Sequence, residues 1–190
     1  YVLSRALFAQ ILHDKRVQVH GISADKFSTQ ALLDVKAALD GARYILIELF
    51  AQNAELLAQL REKLFKEALV NATVIAGQEN VGVKFTDYFN YVEPVSSIPS
   101  HRILAILRGE KEQILTLKIV YPEQETQGRE INSYEKIIAN TFNVTEQANA
   151  SNWLLDSIRL SFRAKIFISL ESELINKLRK MADIEEIKGF

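Results

Sequence analysis

Apolar residues recur along most of this chain at helical spacing. Leu3, Leu7 and Ile11 lie four apart and predict a first helix that ends near Arg16. Residues 17–27 read as a loop, with Gly21 as its flexible point. Phe27-Ser28 then resembles a helix entry, in which Ser28 accepts a hydrogen bond from a free backbone N–H and Phe27 packs on Leu32. That helix is expected to reach Leu39 and to be interrupted at Asp40-Gly41. Ala42, Ile45, Leu46, Leu49 and Phe50 form the next apolar face, and Asn53 is positioned to cap a helix carrying Leu57, Leu60, Leu64 and Ala68. Residues 72–76 are short and β-branched, which leaves a strand and a helix end both open.

Gly77, Gly82, Pro94 and Pro99 make 77–100 the least regular stretch and the expected exposed connection. Pro99 suits the first turn of a helix with Ser97 as its cap; Ile103, Leu104 and Leu107 line that helix, and Gly109 is expected to end it. Residues 114–121 alternate as the best strand of the chain, with a polar turn over 123–128 and pairing to 72–76 as the simplest arrangement. From Arg129 to Lys188 there is neither Gly nor Pro. Ile131, Tyr134, Ile138 and Phe142 form one stripe. Asn149 or Ser151 is placed to cap a final helix striped by Leu155, Ile158, Phe162 and Ile166, then Phe167, Leu170, Leu174, Leu178 and Met181. At ~30 residues this helix would measure ~45 Å, more than a compact domain of this size accommodates.

The expected fold is therefore mainly α and multihelical, with a long C-terminal helix and a minor β element around 114–120. Its organisation divides into a multihelical region with a short strand over 1–150 and a long helix over 151–190 leading to a further part. The ends, Tyr1-Val2-Leu3 and Lys188-Gly189-Phe190, read as the interior of a longer protein. Composition supports the helical reading, because 7 Gly and 3 Pro in 190 residues are few helix breakers. The formal net charge of −1 argues against a domain that binds nucleic acid through bulk positive charge. With no cysteine, disulfides and thiolate chemistry are excluded, which fits a cytoplasmic protein. No run reaches the ~18 apolar residues of a membrane span.

Catalytic and metal-binding patterns are missing from the sequence. There is no phosphate loop, dinucleotide fingerprint, nucleophile elbow or zinc-protease helix. His13, His20 and His101 are far apart, so no metal, cofactor or small-molecule substrate is expected. Asp87, Glu93 and His101 are the one conceivable acid–base group; capping and surface ion pairing account for them more simply. The three N-x-S/T triplets at Asn71, Asn143 and Asn149 read as chance.

Basic residues carry the remaining candidate chemistry. Lys84, Arg102, Arg108, Lys111 and Lys118 fall around one helix and one strand, with Tyr88, Phe89 and Tyr91 close in sequence. Cations interleaved with aromatic rings suit a nucleic-acid backbone and its bases. Glu93, Glu110 and Glu112 are interspersed and would cancel part of that field. Arg159, Arg163 and Lys165 make a second basic group on the long helix. For both groups a solvated rim is the competing reading.

A longer, ordered succession lies in the same region: Lys84-Phe85, Asp87-Tyr88-Phe89, Glu93-Pro94, Ile98-Pro99-Ser100-His101-Arg102, Leu104-Ala105 and Arg108-Gly109-Glu110. This resembles the Tex family of bacterial transcription accessory proteins. Gly41-Ala42-Arg43 upstream and Ser169-Leu170-Glu171 downstream resemble other segments of that family; Ile168 stands where the pattern often has Pro. The resemblance implies a much longer protein with a helical, helix-turn-helix-like N-terminal region, an RNase-H-like domain, helix-hairpin-helix modules and an OB-fold RNA-binding domain. It also implies similarity to a eukaryotic elongation factor, with RNA or DNA and the transcription machinery as partners. This chain would be the helical region before the RNase-H-like domain. It is expected to act as a non-enzymatic scaffold with at most weak nucleic-acid contact, or alternatively as a purely architectural protein-interaction module.

Overall fold

The computed structural model describes residues 29–124, 130–144 and 151–188. The first predicted helix, the 17–27 loop, the Phe27-Ser28 entry, most of the 123–128 turn and the Asn149 cap lie outside them. Among the described residues there are six α-helices and one small sheet: α1 (Thr29–Ala51), α2 (Ala54–Glu67), β1 (Leu69–Val74), β2 (Asn90–Pro94), α3 (Ser100–Lys111), β3 (Leu115–Val120), α4 (Ser133–Thr141), α5 (Ser151–Ser161) and α6 (Phe167–Lys188). A 3-10 turn, Val83–Tyr88, precedes β2, and a π-helical turn, Phe162–Ile166, joins α5 to α6. The mainly α fold with a long C-terminal helix and a minor β element is as the sequence predicts. No helix among the described residues is long and apolar enough to cross a membrane.

These elements pack into two units. Among the described residues, the first holds 29–57, 131–144 and 151–166; the second holds 58–124, Glu130 and 167–188. In the first, α1 runs unbroken through Asp40-Gly41, which corrects the predicted interruption. One glycine in a helix costs about 1 kcal/mol, and burial of Ala42, Leu46 and Phe50 on one stripe outweighs it. Ser157 and Ser161 are fully buried. Ser157 bonds back to the Trp153 carbonyl at 2.7 Å and receives the Arg43 Nε at 3.3 Å, while the Arg43 guanidinium sits 5.4 Å from the Trp153 ring centre. Tyr134 and Phe162 stack at 5.2 Å, and Phe50 meets Phe142 at 4.7 Å.

Helix α4 begins with a reciprocal cap. The Asn132 side chain accepts from the Glu135 N–H at 2.8 Å, and the Asn132 N–H donates to the Glu135 carboxylate at 3.1 Å. Glu135 is fully buried, with Arg163 at 3.3 Å and Arg159 at 3.8 Å.

In the second unit the sheet order is β2-β1-β3, antiparallel throughout. Ala72, Thr73 and Val74 pair with Leu117, Thr116 and Leu115, so the segment left open in the sequence pairs with the 114–120 strand as expected. The inner face carries Val70, Ala72, Leu115, Leu117 and Ile119, all buried; Thr116 and Lys118 point the other way. Buried Ile103 and Ile106 of α3 and the Leu170, Leu174, Leu178 and Ala182 stripe of α6 complete this core. Asn53 caps α2 as predicted, accepting the Leu56 N–H at 2.9 Å.

Candidate nucleic-acid interface

Helix α3 carries most of the predicted basic set, and its two ends show how the chain builds it. Pro99 is the N-cap residue, extended at φ −67° and ψ 144°. Ser97 is not the cap; its N–H closes the preceding turn onto the Pro94 carbonyl. At the other end Gly109 does not stop the helix, which continues to Lys111. Gln113 takes the left-handed conformation at φ 59° instead. Its N–H donates to the Glu110 carbonyl and the Ile114 N–H to Gly109, both at 2.9 Å. That pair of bonds is a Schellman motif with glutamine in glycine's usual place. Gly109 is required for a different reason: a Cβ there would lie 2.6 Å from Leu115 Cδ1 and 2.8 Å from its Cγ.

Several polar side chains along α3 are engaged with their neighbours. Ser100 Oγ donates to Glu185 at 2.7 Å, Arg108 pairs with Glu186 at 3.1 Å, and Glu110 faces Arg179 at 3.6 Å. These three contacts latch α3 to α6. Arg102 turns toward β2, where its Nη1 donates to the Tyr91 hydroxyl at 3.0 Å and the Glu93 carboxylate at 3.1 Å. The Tyr91 hydroxyl itself donates to the same Glu93 oxygen. That donation, with the Arg102 bond, holds the Glu93 carboxyl below the usual carboxylate range against the opposing effect of desolvation. Burial and the adjacent carboxylate push the Tyr91 phenol up. Its ring meets Tyr88 edge-on at 5.3 Å.

The five predicted cations do not form one surface. Lys84, on the 3-10 turn, pairs with Glu112 at 2.6 Å and lies 5.0 Å from the Phe85 ring centre. Arg102 is committed to the β2 edge and Arg108 to α6. Lys111 and Lys118 are exposed and make no ion pair with a described residue. Lys118 stands on the outer sheet face, opposite Asn71, whereas α3 packs on the inner one. The second basic group is paired too: Arg159 with Asp156 and Glu135, Arg163 with Glu135, and Lys165 with Glu48.

His101 is exposed, as is Asp87, and the Glu93 carboxylate is already occupied by Tyr91 and Arg102. Among the described residues no group of three or more His, Asp or Glu is placed to hold a metal ion. His13 and His20 lie outside them. The residues that sequence reasoning missed are Glu185, Glu186 and Arg179, whose roles depend on which helix packs beside α3. The Asn132–Glu135 cap was readable from its spacing.

Comparison with known proteins places this arrangement in a family. The sequence model described as Tex central region-like matches residues 18–190. A Neisseria gonorrhoeae protein named transcriptional accessory protein Tex is 43% identical over 182 residues, 96% of this chain and 24% of that protein. Protein YhgF of Escherichia coli is 39% identical over 165 residues, 86% of this chain and 21% of its own length. Protein tex of Bordetella pertussis is 36% identical over 187 residues, 95% of this chain and 24% of that protein. The chain thus spans about a quarter of the length of the curated relatives it matches.

Proposed function

The chain belongs to the Tex central region-like family, and from that premise we propose that it serves as a structural framework within a Tex-type transcription accessory protein, making at most weak contact with RNA or DNA itself. The observation that carries this reading is the use made of the motif residues. Pro99 starts α3, Ser100, Arg108 and Glu110 tie it to α6, Arg102 ties it to β2, and Gly109 lets β3 approach. Side chains so engaged favour a packing role for α3 over a projecting cationic surface.

Weak nucleic-acid contact falls chiefly to Lys111 and Lys118. Lys84, Arg102 and Arg108 contribute only as far as their carboxylates release them. Single lysines on separate surfaces support salt-sensitive, sequence-independent binding no tighter than the weak end of the nonspecific range, around 10⁻⁴ M. Fluorescence anisotropy with labelled single-stranded RNA and duplex DNA tests this. Weak binding at low salt should disappear by roughly 0.2 M salt and fall further in Lys111→Ala/Lys118→Ala. Submicromolar affinity at that salt would contradict the proposal.

A further inference from the structure

An open groove of about 390 Å³ lies between α2 and α6 in the second unit, within the volume range of binding clefts. From α2 it is lined by Ala58, Arg61, Glu62, Leu64 and Phe65, and from α6 by Leu170, Glu173, Leu174 and Lys177. The α6 set falls at i, i+3, i+4 and i+7, as does the α2 set apart from Leu64, the face that a helix turns toward another helix. Two such faces on one groove leave the seat of a third helix between them. A rise of seven residues makes that seat about 10 Å long, or two turns.

The floor is apolar. Leu64, Leu170 and Leu174 are each at most 5% exposed. Around the rim, charges are paired among the described residues except at one position. Arg61 donates twice to Glu173, at 2.6 and 3.1 Å, and Glu62 pairs with Lys66 at 2.7 Å. Lys177 makes no ion pair with a described residue; its Nζ lies 3.8 Å from the Phe65 ring centre. An apolar seat beside one uncompensated cation is complementary to an apolar helix that carries a carboxylate.

We propose that the α2–α6 groove docks an amphipathic helix of a partner protein, which inserts two apolar side chains three or four residues apart and sets an Asp or Glu against Lys177. The Arg61–Glu173 pair is half-exposed, so it contributes little net stability and yields to an occupant. This surface goes beyond the framework role and stands or falls separately from nucleic-acid contact.

The probe is a stapled Leu/Ala/Glu helix of about 14 residues, with a Leu/Ala/Lys version as its counterpart. Both are titrated into the isotopically labelled chain while backbone amide shifts are followed. The acidic helix should move amides in 58–65 and 170–177 and bind at least ~10-fold tighter than the basic one. Lys177→Glu should reverse that preference. Ala58→Arg, at an exposed rim position, should weaken the acidic helix by at least ~10-fold with unchanged circular dichroism. Equal binding of both helices, no binding, shifts confined to other residues, or indifference to Ala58→Arg would overturn the proposal. So would groove shifts that follow protein concentration, which assign the groove to a second copy, or uptake of anilinonaphthalene sulfonate without either helix.

Discussion

A methyl group added at Gly109 should loosen the seam between α3 and β3. The Cβ of Gly109→Ala would lie 2.6 Å from Leu115 Cδ1 and 2.8 Å from Cγ, inside any ordinary carbon–carbon contact. Leu115 is 1% exposed and packs with Phe85 and Ile114, so it cannot swing into solvent. Overpacking of this kind costs ~1–3 kcal/mol. Alanine returns about 1 kcal/mol through its better helix propensity. The net expectation is a loss of about 1 kcal/mol, a fall in Tm of about 2–4 °C at this chain length. Urea unfolding followed by circular dichroism measures it. Trimming the neighbour supplies the control: Gly109→Ala combined with Leu115→Val should lose less than the sum of the single variants, with a coupling of at least ~0.5 kcal/mol. A Gly109→Ala variant more stable than the parent, or strict additivity in the double variant, would refute the steric account.

Gln113→Gly should stabilise the chain by about 0.5–1 kcal/mol in the same assay, because the left-handed residue of the Schellman motif then carries no Cβ. Glu135→Ala should destabilise by about 2 kcal/mol, below the 3–5 kcal/mol of a fully buried pair, because Arg159 and Arg163 keep 21% and 41% of their side-chain exposure. The Glu93 carboxyl, held low mainly by the Tyr91 hydroxyl, contributes stability that is fully present above its unfolded pKa of about 4.3. That contribution disappears as pH falls through the lower folded value. Tyr91→Phe should therefore be less stable than the parent at pH 7, with the gap narrowing on acidification; a gap that widens in acid would refute the assignment.

Local patterns were legible where one residue type decides the outcome. The alternation over 114–121 gave β3 almost to the residue, and Asn53 gave the start of α2. Strand β2 escaped because its five residues end on Pro94 and carry no buried apolar side chain. Its pairing to β1 is a long-range choice. Asp40-Gly41 and Gly109 were over-read as helix stops: each glycine sits inside a helix whose buried stripe outweighs its propensity penalty. The basic set was visible as residues but not as a surface. The carboxylates that engage it, Glu93 of β2, Glu112 at the end of α3 and Glu186 of α6, are far apart in sequence from their cations or reach them across elements, and only the packing of α3 against the 3-10 turn, β2 and α6 brings these pairs together.

The framework account is tested most directly at Arg102, where a structural and a recognition role make opposite forecasts. Unfolding midpoint and low-salt affinity for RNA and DNA are to be measured together on the parent and on Arg102→Ala. The account predicts a lower midpoint, because Tyr91 and Glu93 lose their shared donor, with affinity unchanged within about twofold, since an ion-paired cation adds little to phosphate binding. An unchanged midpoint with affinity reduced tenfold or more would contradict it.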